Sequence, residues 1–501
     1  MTAGSARAAR EPVALPLDGG TGLGRGLLGG KAAGIARMLA LGAPVPPAFV
    51  LTTVACRRFR AAAGHLPEDV WQRVRGLVGT LERATGRTFG RGPQPLLVSV
   101  RSGAPDSMPG MMDTVLNVGL TPEASAALAR ADPRHAADTR RRFTAQFTAT
   151  VGVPPPGDPW RQLRLAIEAV FASSASPRAV SYRAARSLAA DAGTAVTVQT
   201  MVFGNRDARS GTGVLFTRDP LTGACAPYGE WLPSGQGEDV VSGRSDVRSL
   251  DELGEAMPQV RRRLLTWARA LERDAKDVQD IEFTVEAGTL WLLQTRAAKR
   301  SPRAAAAHAV ALADEGVISR REALSRLAPA QLDALLRPGI DPQAAASASV
   351  LARGKPASPG VGAGVTVVDP DAVGDPGPGA DGRVLARPTT EPDDVPAMAL
   401  ARAVVTETGG STSHAAVVCR ELAVPCVVGC GPGTVAALRG RTVTVDGAAG
   451  LVYAGALPLR RPTGDEPALA ALAEWAADAP DLPSATRLLR LRAGRSQPPV
   501  A

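Results

Sequence analysis

The sequence predicts a multidomain protein of mixed α+β and α/β class. Three observations predict it. At 501 residues the chain is longer than one hydrophobic core usually supports, so two or more domains are expected. Strand-like apolar runs and helical patterns are interleaved along the chain. An Ala-rich, helical stretch from Ser301 to about Ala348 separates two such regions and suits a connector.

Composition narrows the class. Hydrophobic residues make up 45% but aromatics only 4%, so alanine, leucine and valine must fill most of the core. No apolar run approaches the roughly 20 residues of a membrane span, and Met1 to Arg10 lacks the apolar stretch of a signal peptide, so a cytoplasmic location and no membrane partner are expected. The five cysteines do not look like a disulfide framework in so long a chain. A zinc site from Cys419, Cys426, Cys430 and His414 lacks paired C-x-x-C spacing, so reduced thiols are expected. The net charge of +9 comes from scattered arginines with short runs at Arg140 to Arg142 and Arg261 to Arg263, a poor footprint for nucleic acid. Of 57 basic residues only Lys31, Lys276, Lys299 and Lys355 are lysines, so a lysine here reads as a chemical choice.

Taken in order, residues 1–25 are polar and Gly-rich and read as a loose arm. A helix is expected from about Lys31 to Leu41, stopped by Gly42, Pro44, Pro46 and Pro47. A strand at Phe49 to Thr53, helices through the seventies and eighties, and a strand at Leu96 to Arg101 follow. The loop Ser102 to Asp113 carries a methionine cluster at Met108, Met111 and Met112. Helices are expected over 121–190, then strands at Ala195 to Phe203 and Thr212 to Thr217 around the turn-rich Gly204 to Gly211. Asp280 to Gln294 reads as a hairpin. The resulting division is an arm (1–25), a first region (26–300), a helical linker (301–350), a second domain (351–456) and a tail with one short helix (457–501).

Four places carry chemistry. Gly29-Gly30-Lys31 precedes a helix, where backbone N–H groups and an ammonium can meet an anion, although an exposed lysine after a turn gives the same pattern. It is not a P-loop, because no Ser or Thr follows the lysine. Arg101 ends a strand before a loop of small residues that could close over phosphates; a surface arginine beside core methionines is the plainer alternative. In the hairpin, a three-residue loop Glu286-Ala287-Gly288 would pair residues of like parity. That register puts Asp280, Glu282, Gln294 and Arg296 on one face and Ile281, Phe283, Trp291 and Leu293 on the other. Two carboxylates, an amide oxygen and a guanidinium on one face suit magnesium and a triphosphate, while a solvated polar face is the alternative. Finally, Thr408 to His414 follows a strand at Ala403 to Thr406 and opens an amphipathic helix to about Leu422. Hydroxyl residues are expected to cap it, and its dipole can stabilise a phosphate on a nucleophilic first-turn imidazole. A buried or capping histidine is the plainer reading.

At this point the chain resembles a family, the pyruvate, phosphate dikinases, relatives of phosphoenolpyruvate synthase. The matching stretches are Leu27 to Lys31, Val98 to Gly103 with Ser107 to Thr114, Gln199 to Asn205, Ser210 to Val214 with Phe216 to Arg218, Gly235 to Val241, Gln294 to Arg296, and Gly409-Gly410 with Thr412 to Val418. The resemblance implies an ATP-grasp nucleotide-binding region followed by a swivelling β/β/α phosphohistidine domain. It assigns Lys31, Arg101, Asp280, Glu282, Gln294 and Arg296 to ATP and Mg2+, with Glu282 and Gln294 on the metal. Met201 and Val202 match the adenine-lining segment, His414 the phosphorylated histidine, and Thr412 a threonine that plant relatives use for regulation.

In the family, ATP and inorganic phosphate give AMP and pyrophosphate while the histidine is phosphorylated, and pyruvate then takes the phosphoryl group. Family members continue into a pyruvate-binding barrel that these 501 residues do not contain. The helical stretch between about 120 and 180 looks shorter than in the family, and Ser411 stands where methionine is usual. The expectation is therefore a kinase that performs the ATP half-reaction and passes the group to pyruvate on a separate barrel protein. Transfer to another acceptor, such as a small hydroxylated molecule, and a non-catalytic ATP-binding relic are the alternatives.

Overall fold

The computed structural model describes residues 11–20, 22–105, 113–177, 179–180, 183, 193–242, 247–335, 339–374, 382–460, 467–485 and 488. Of the loop expected at Ser102 to Asp113, Ser102 and Gly103 instead continue the strand Val98–Gly103, and 106–112, with all three methionines, lie outside the described residues. The chain divides into two compact units, Met1–Gly211 with Phe283–Arg296, and Thr212–Glu282 with Ala297–Ala501.

The first unit is built on an antiparallel sheet whose strands lie in the order Ala14–Leu17, Ala48–Leu51, Ala195–Thr200, Val98–Gly103 and Thr114–Val118. Every residue of Ala195–Thr200 is buried, which is the pattern of a strand covered on both faces rather than one that alternates. Phe49, Phe143, Phe147 and Phe171 are wholly buried in the surrounding core. The helices Pro122–Ala131, Pro133–Val151 and Pro159–Ser173 start alike: a cap residue, Thr121, Asp132 or Asp158, accepts first-turn N–H bonds, and proline occupies the first helical position. Ala14–Leu17, expected within a loose arm, instead forms an edge strand paired with Ala48–Leu51. Four residues are too short to show alternation above the polar background.

The second unit contains an eight-stranded mixed sheet in the order Val350–Arg353, Leu451–Ala454, Thr442–Asp446, Val361–Val367, Arg383–Arg387, Ala403–Thr406, Cys426–Val428 and Lys355–Ser358. Val361–Val367, Arg383–Arg387, Ala403–Thr406 and Cys426–Val428 run parallel, and the other pairs are antiparallel. Ala403–Thr406 is buried throughout and leads through residues 407–413 into the helix His414–Leu422. The connector is helical as expected, at Pro302–Asp314, Arg320–Ser325, Pro329–Leu335 and Pro342–Ser347. The expected tail helix is Pro467–Trp475, whose Leu469, Leu472 and Trp475 pack into the same core as Leu312 and Leu324. Among the described residues no helix is long and apolar enough to cross a membrane.

The hairpin departs from expectation. Its strands Gln279–Glu286 and Thr289–Ala297 are joined by two residues, Ala287 and Gly288, at φ 48° and 80°, not by three. Both positive φ values are the mark of a tight hairpin turn, which alanine does not advertise in a sequence. The loop is held by Ala287 N–H to Ser210 Oγ (2.9 Å) and Gly288 N–H to the Arg209 carbonyl (2.9 Å). The buried apolar residues are Ile281, Phe283, Val285, Leu290 and Leu292, while Trp291 and Leu293 are half-buried. The shorter loop reverses the pairing parity beside the turn. The strands are 8 and 9 residues long, however, and at their base Ala298 N–H donates to the Val278 carbonyl (2.9 Å), a pair of like parity, so one extra residue in the second strand restores the expected register there.

Candidate functional site

In the first unit, glycines bring a helix start against a strand end. The helix Arg25–Ala40 is broken at Gly29 (φ 72°, ψ 164°). A β-carbon there would lie 1.9 Å from the Gly103 carbonyl oxygen, so only glycine fits. Gly30 N–H then donates to the Ala104 carbonyl (2.9 Å), and Lys31 lies beside Gly103, two residues along the strand from Arg101. The same helix closes on the strand Thr289–Ala297 at Gly34, where a β-carbon would meet the Thr295 carbonyl oxygen at 2.5 Å. Arg101 Nη2 donates to Gln294 Oε1 (3.3 Å), and half-exposed Arg296 lies two residues further along that strand. Four expected residues thus share one unit, with Arg101 and Gln294 in direct contact. Met201 and Val202 follow the central strand. Met201 N–H donates to the Leu97 carbonyl (2.9 Å) and its side chain joins the core, while Val202 is half-buried.

Asp280 and Glu282 belong to the second unit. Asp280 is 2% exposed and Glu282 half-buried, and their strand is anchored by Thr217 N–H to the Gln279 carbonyl (2.9 Å). A carboxylate buried that deeply stays charged only with polar partners.

His414 opens the helix His414–Leu422. Its Nε2 is buried and has no hydrogen-bond partner among the described residues, which leaves Nδ1 to meet the Glu391 carbonyl. That fixes the neutral tautomer with its lone pair on Nε2. Burial pulls the imidazole pKa below its usual value, opposed by the Asp394 carboxylate and the Glu391 carbonyl. A desolvated, unprotonated Nε2 at a helix N-terminus is a nucleophile placed where an added anion is favoured.

The hydroxyl caps are a correction. Ser413 occupies the N-cap position but its Oγ has no partner among the described residues. The turn closed by Ser413 N–H to the Gly410 carbonyl (3.0 Å) sends the Ser411 and Thr412 hydroxyls to Glu230 instead. The Glu230 carboxylate accepts from Ser411 N–H (3.3 Å) and Oγ (3.0 Å), and from Thr412 N–H (3.1 Å) and Oγ1 (2.5 Å). A β-carbon at Gly410 would lie 2.6 Å from Glu230 Oε2, so glycine is what admits the carboxylate. Tyr228 shares a very short hydrogen bond with Ser411 Oγ, and burial with the Glu230 charge raises its phenol to about 12.

Sequence reasoning missed Glu230, which sits 2 residues from Tyr228 on the strand Tyr228–Pro233. A buried acid inside a strand was its only local signal. It missed Arg420 as well, a wholly buried cation on the histidine helix. The five cysteines are free thiols, and burial raises Cys430 to about 12 and Cys426 well above its usual value. Among the described residues no group of three or more His, Cys, Asp or Glu side chains could hold a metal ion.

Comparison with known proteins matches residues 61–254 to the family described as "Pyruvate phosphate dikinase, AMP/ATP-binding domain" and residues 379–450 to "PEP-utilising enzyme, mobile domain". The chain is 39% identical to the pyruvate, phosphate dikinase of Rhizobium meliloti (strain 1021) over 87% of its length and 57% of that relative. It is 39% identical to pyruvate, phosphate dikinase 2 of Zea mays (87% and 56%) and 37% identical to the Clostridium symbiosum enzyme (86% and 56%). The chain spans a little over half the length of these curated relatives.

Proposed function

Because the chain belongs to the pyruvate, phosphate dikinase family, we propose that it phosphorylates its own His414 from ATP and inorganic phosphate, releasing AMP and pyrophosphate. The observation that carries this reading is the bare, buried Nε2 of His414 at the start of its helix. Residues 26–300 act as an ATP-grasp region and 351–456 as a swivelling β/β/α phosphohistidine domain, with 301–350 as the linker, 1–25 as an arm and 457–501 as a tail.

Lys31 and Arg101 neutralise the triphosphate, Arg296 and Asp280 complete its binding site, and Met201 and Val202 line the adenine. Magnesium fits the hard oxygens of Glu282 and Gln294. When bound, that ion would neutralise charge on the phosphates. Nε2 attacks the β-phosphorus, the N–P bond forms as the bond to the AMP oxygen breaks, and the γ-phosphoryl group passes to inorganic phosphate. Positioning and charge neutralisation supply the catalysis. His414 then gives its phosphoryl group to pyruvate bound on a separate barrel protein, and Thr412 is the candidate regulatory site.

Phosphorus NMR of the chain with magnesium, ATP and phosphate tests the half-reaction. AMP and pyrophosphate formed in amounts matching the protein are expected, and ADP as the nucleotide product would contradict the proposal.

A further inference from the structure

Arg420 lies on the last turn of the histidine helix and is wholly buried. Nη1 donates to the Ala357 carbonyl (2.9 Å) and the Ser411 carbonyl (2.8 Å). Nε and Nη2 have no partner among the described residues, and the guanidinium lies 5.8 Å from the Phe216 ring centroid. A cation buried with unused donors is costly, and a packing role alone would be filled by leucine or methionine without that cost. Burial accordingly pulls its pKa down, with Tyr228 and Asp280 opposing.

What Arg420 holds is one end of a rigid peptide plane. The Ser411 carbonyl and the Thr412 N–H belong to the same planar peptide group, so fixing the first sets the direction of the second. That N–H, with Ser411 N–H and both hydroxyls, forms the set of four donors now closed on the Glu230 carboxylate. Two residues later the chain enters the helix at His414. The carbonyl bond also polarises the peptide and strengthens its N–H as a donor.

We propose that Arg420 is a positioning residue for phosphorylation of His414: by holding the Ser411–Thr412 peptide it keeps the turn in its anion-receiving form and fixes the direction of the Nε2 lone pair. This rests on the phosphotransfer reading above. Arg420 moves no proton. In the step it serves, the Nε2–P bond forms as the P–O bond to AMP breaks, the electron pair leaves on that oxygen, and the Nδ1 proton stays against the Glu391 carbonyl.

The test compares wild type, Arg420→Lys and Arg420→Met as full chains, reading two quantities. The first is the rate of phosphoenzyme formation from ATP and phosphate, beside the affinity for an ATP analogue. The second is the amide proton shift of Thr412, seen by 15N-threonine labelling and identified with Thr412→Ser, which does not depend on activity. Arg420→Met should slow phosphorylation about 10- to 100-fold with analogue affinity unchanged, and move the Thr412 amide upfield. Arg420→Lys should recover part of both. If Arg420→Met does not fold, Arg420→Lys against wild type carries the same comparison. Equal rates in all three proteins, or an unmoved Thr412 amide, would overturn the proposal. An unlabelled wild type would overturn the phosphotransfer reading, and the Thr412 shift would still decide whether Arg420 sets the turn.

Discussion

At the scale of residues, the surroundings of His414 decide how its imidazole serves the proposed phosphotransfer. Because burial lowers its pKa, the neutral nucleophilic ring persists below the usual histidine range near pH 6.5. The acid limb of a pH profile of phosphoenzyme formation is therefore expected below pH 6.5, and a limb above that value would contradict a desolvated ring. His308 makes the complementary case for stability. It is wholly buried, and burial, helped by the Arg300 and Arg218 charges and opposed by the Ala224 carbonyl, lowers its pKa to about 4. The unfolded chain binds that proton near pH 6.5 and the folded one only near 4, so stability is lost as pH falls between those values. The loss approaches about 3 kcal/mol. Urea midpoints across pH 4 to 8 should show this slope in wild type and not in His308→Phe. Glu230→Gln, which replaces one of two accepting oxygens with an amide donor, should lower stability by about 1–3 kcal/mol in a thermal melt. None of this was legible in the sequence for Glu230, since its partners lie more than 180 positions away. The helix start at His414 was legible because two glycines, three hydroxyl residues and a periodic helix stand next to it in the chain.

At the scale of elements, two short pieces of backbone position the first unit's polar residues. Gly29→Ala places a β-carbon 1.9 Å from the Gly103 carbonyl oxygen at a positive φ. It should cost at least about 2 kcal/mol and weaken ATP-analogue binding through Lys31, read by thermal melt and titration. Ala287 adopts φ 48° in the hairpin turn, a conformation asparagine tolerates better. Ala287→Asn should therefore raise stability by a few tenths to about 1 kcal/mol, read as a slightly higher melting temperature. The strand Ala403–Thr406 and the start of the helix after it were readable to the residue, because an apolar β-branched run meets glycines and hydroxyls. The hairpin was located but its loop was misjudged, since an alanine in the left-handed region runs against its own propensity. The strand Ala14–Leu17 went unseen because its pairing with Ala48–Leu51 is a tertiary fact.

At the scale of the whole molecule, the two units are tied by chain that crosses between them, and the hairpin itself is divided at Glu282 and Phe283. This interleaving was not legible in the sequence, because contact partners distant along the chain decide it. The chain spans a little over half of its curated relatives. On the proposed division of labour it makes no phosphoenolpyruvate from pyruvate by itself, and does so when a pyruvate-binding barrel protein is added. Failure with every barrel supplied would point to another acceptor. The central claim is tested most directly with ATP labelled at the β-phosphate, magnesium and phosphate, comparing wild type with His414→Ala. Acid-labile label on wild type alone, together with AMP, is the predicted result; a wild type that stays unlabelled, or a His414→Ala protein labelled equally, would contradict it.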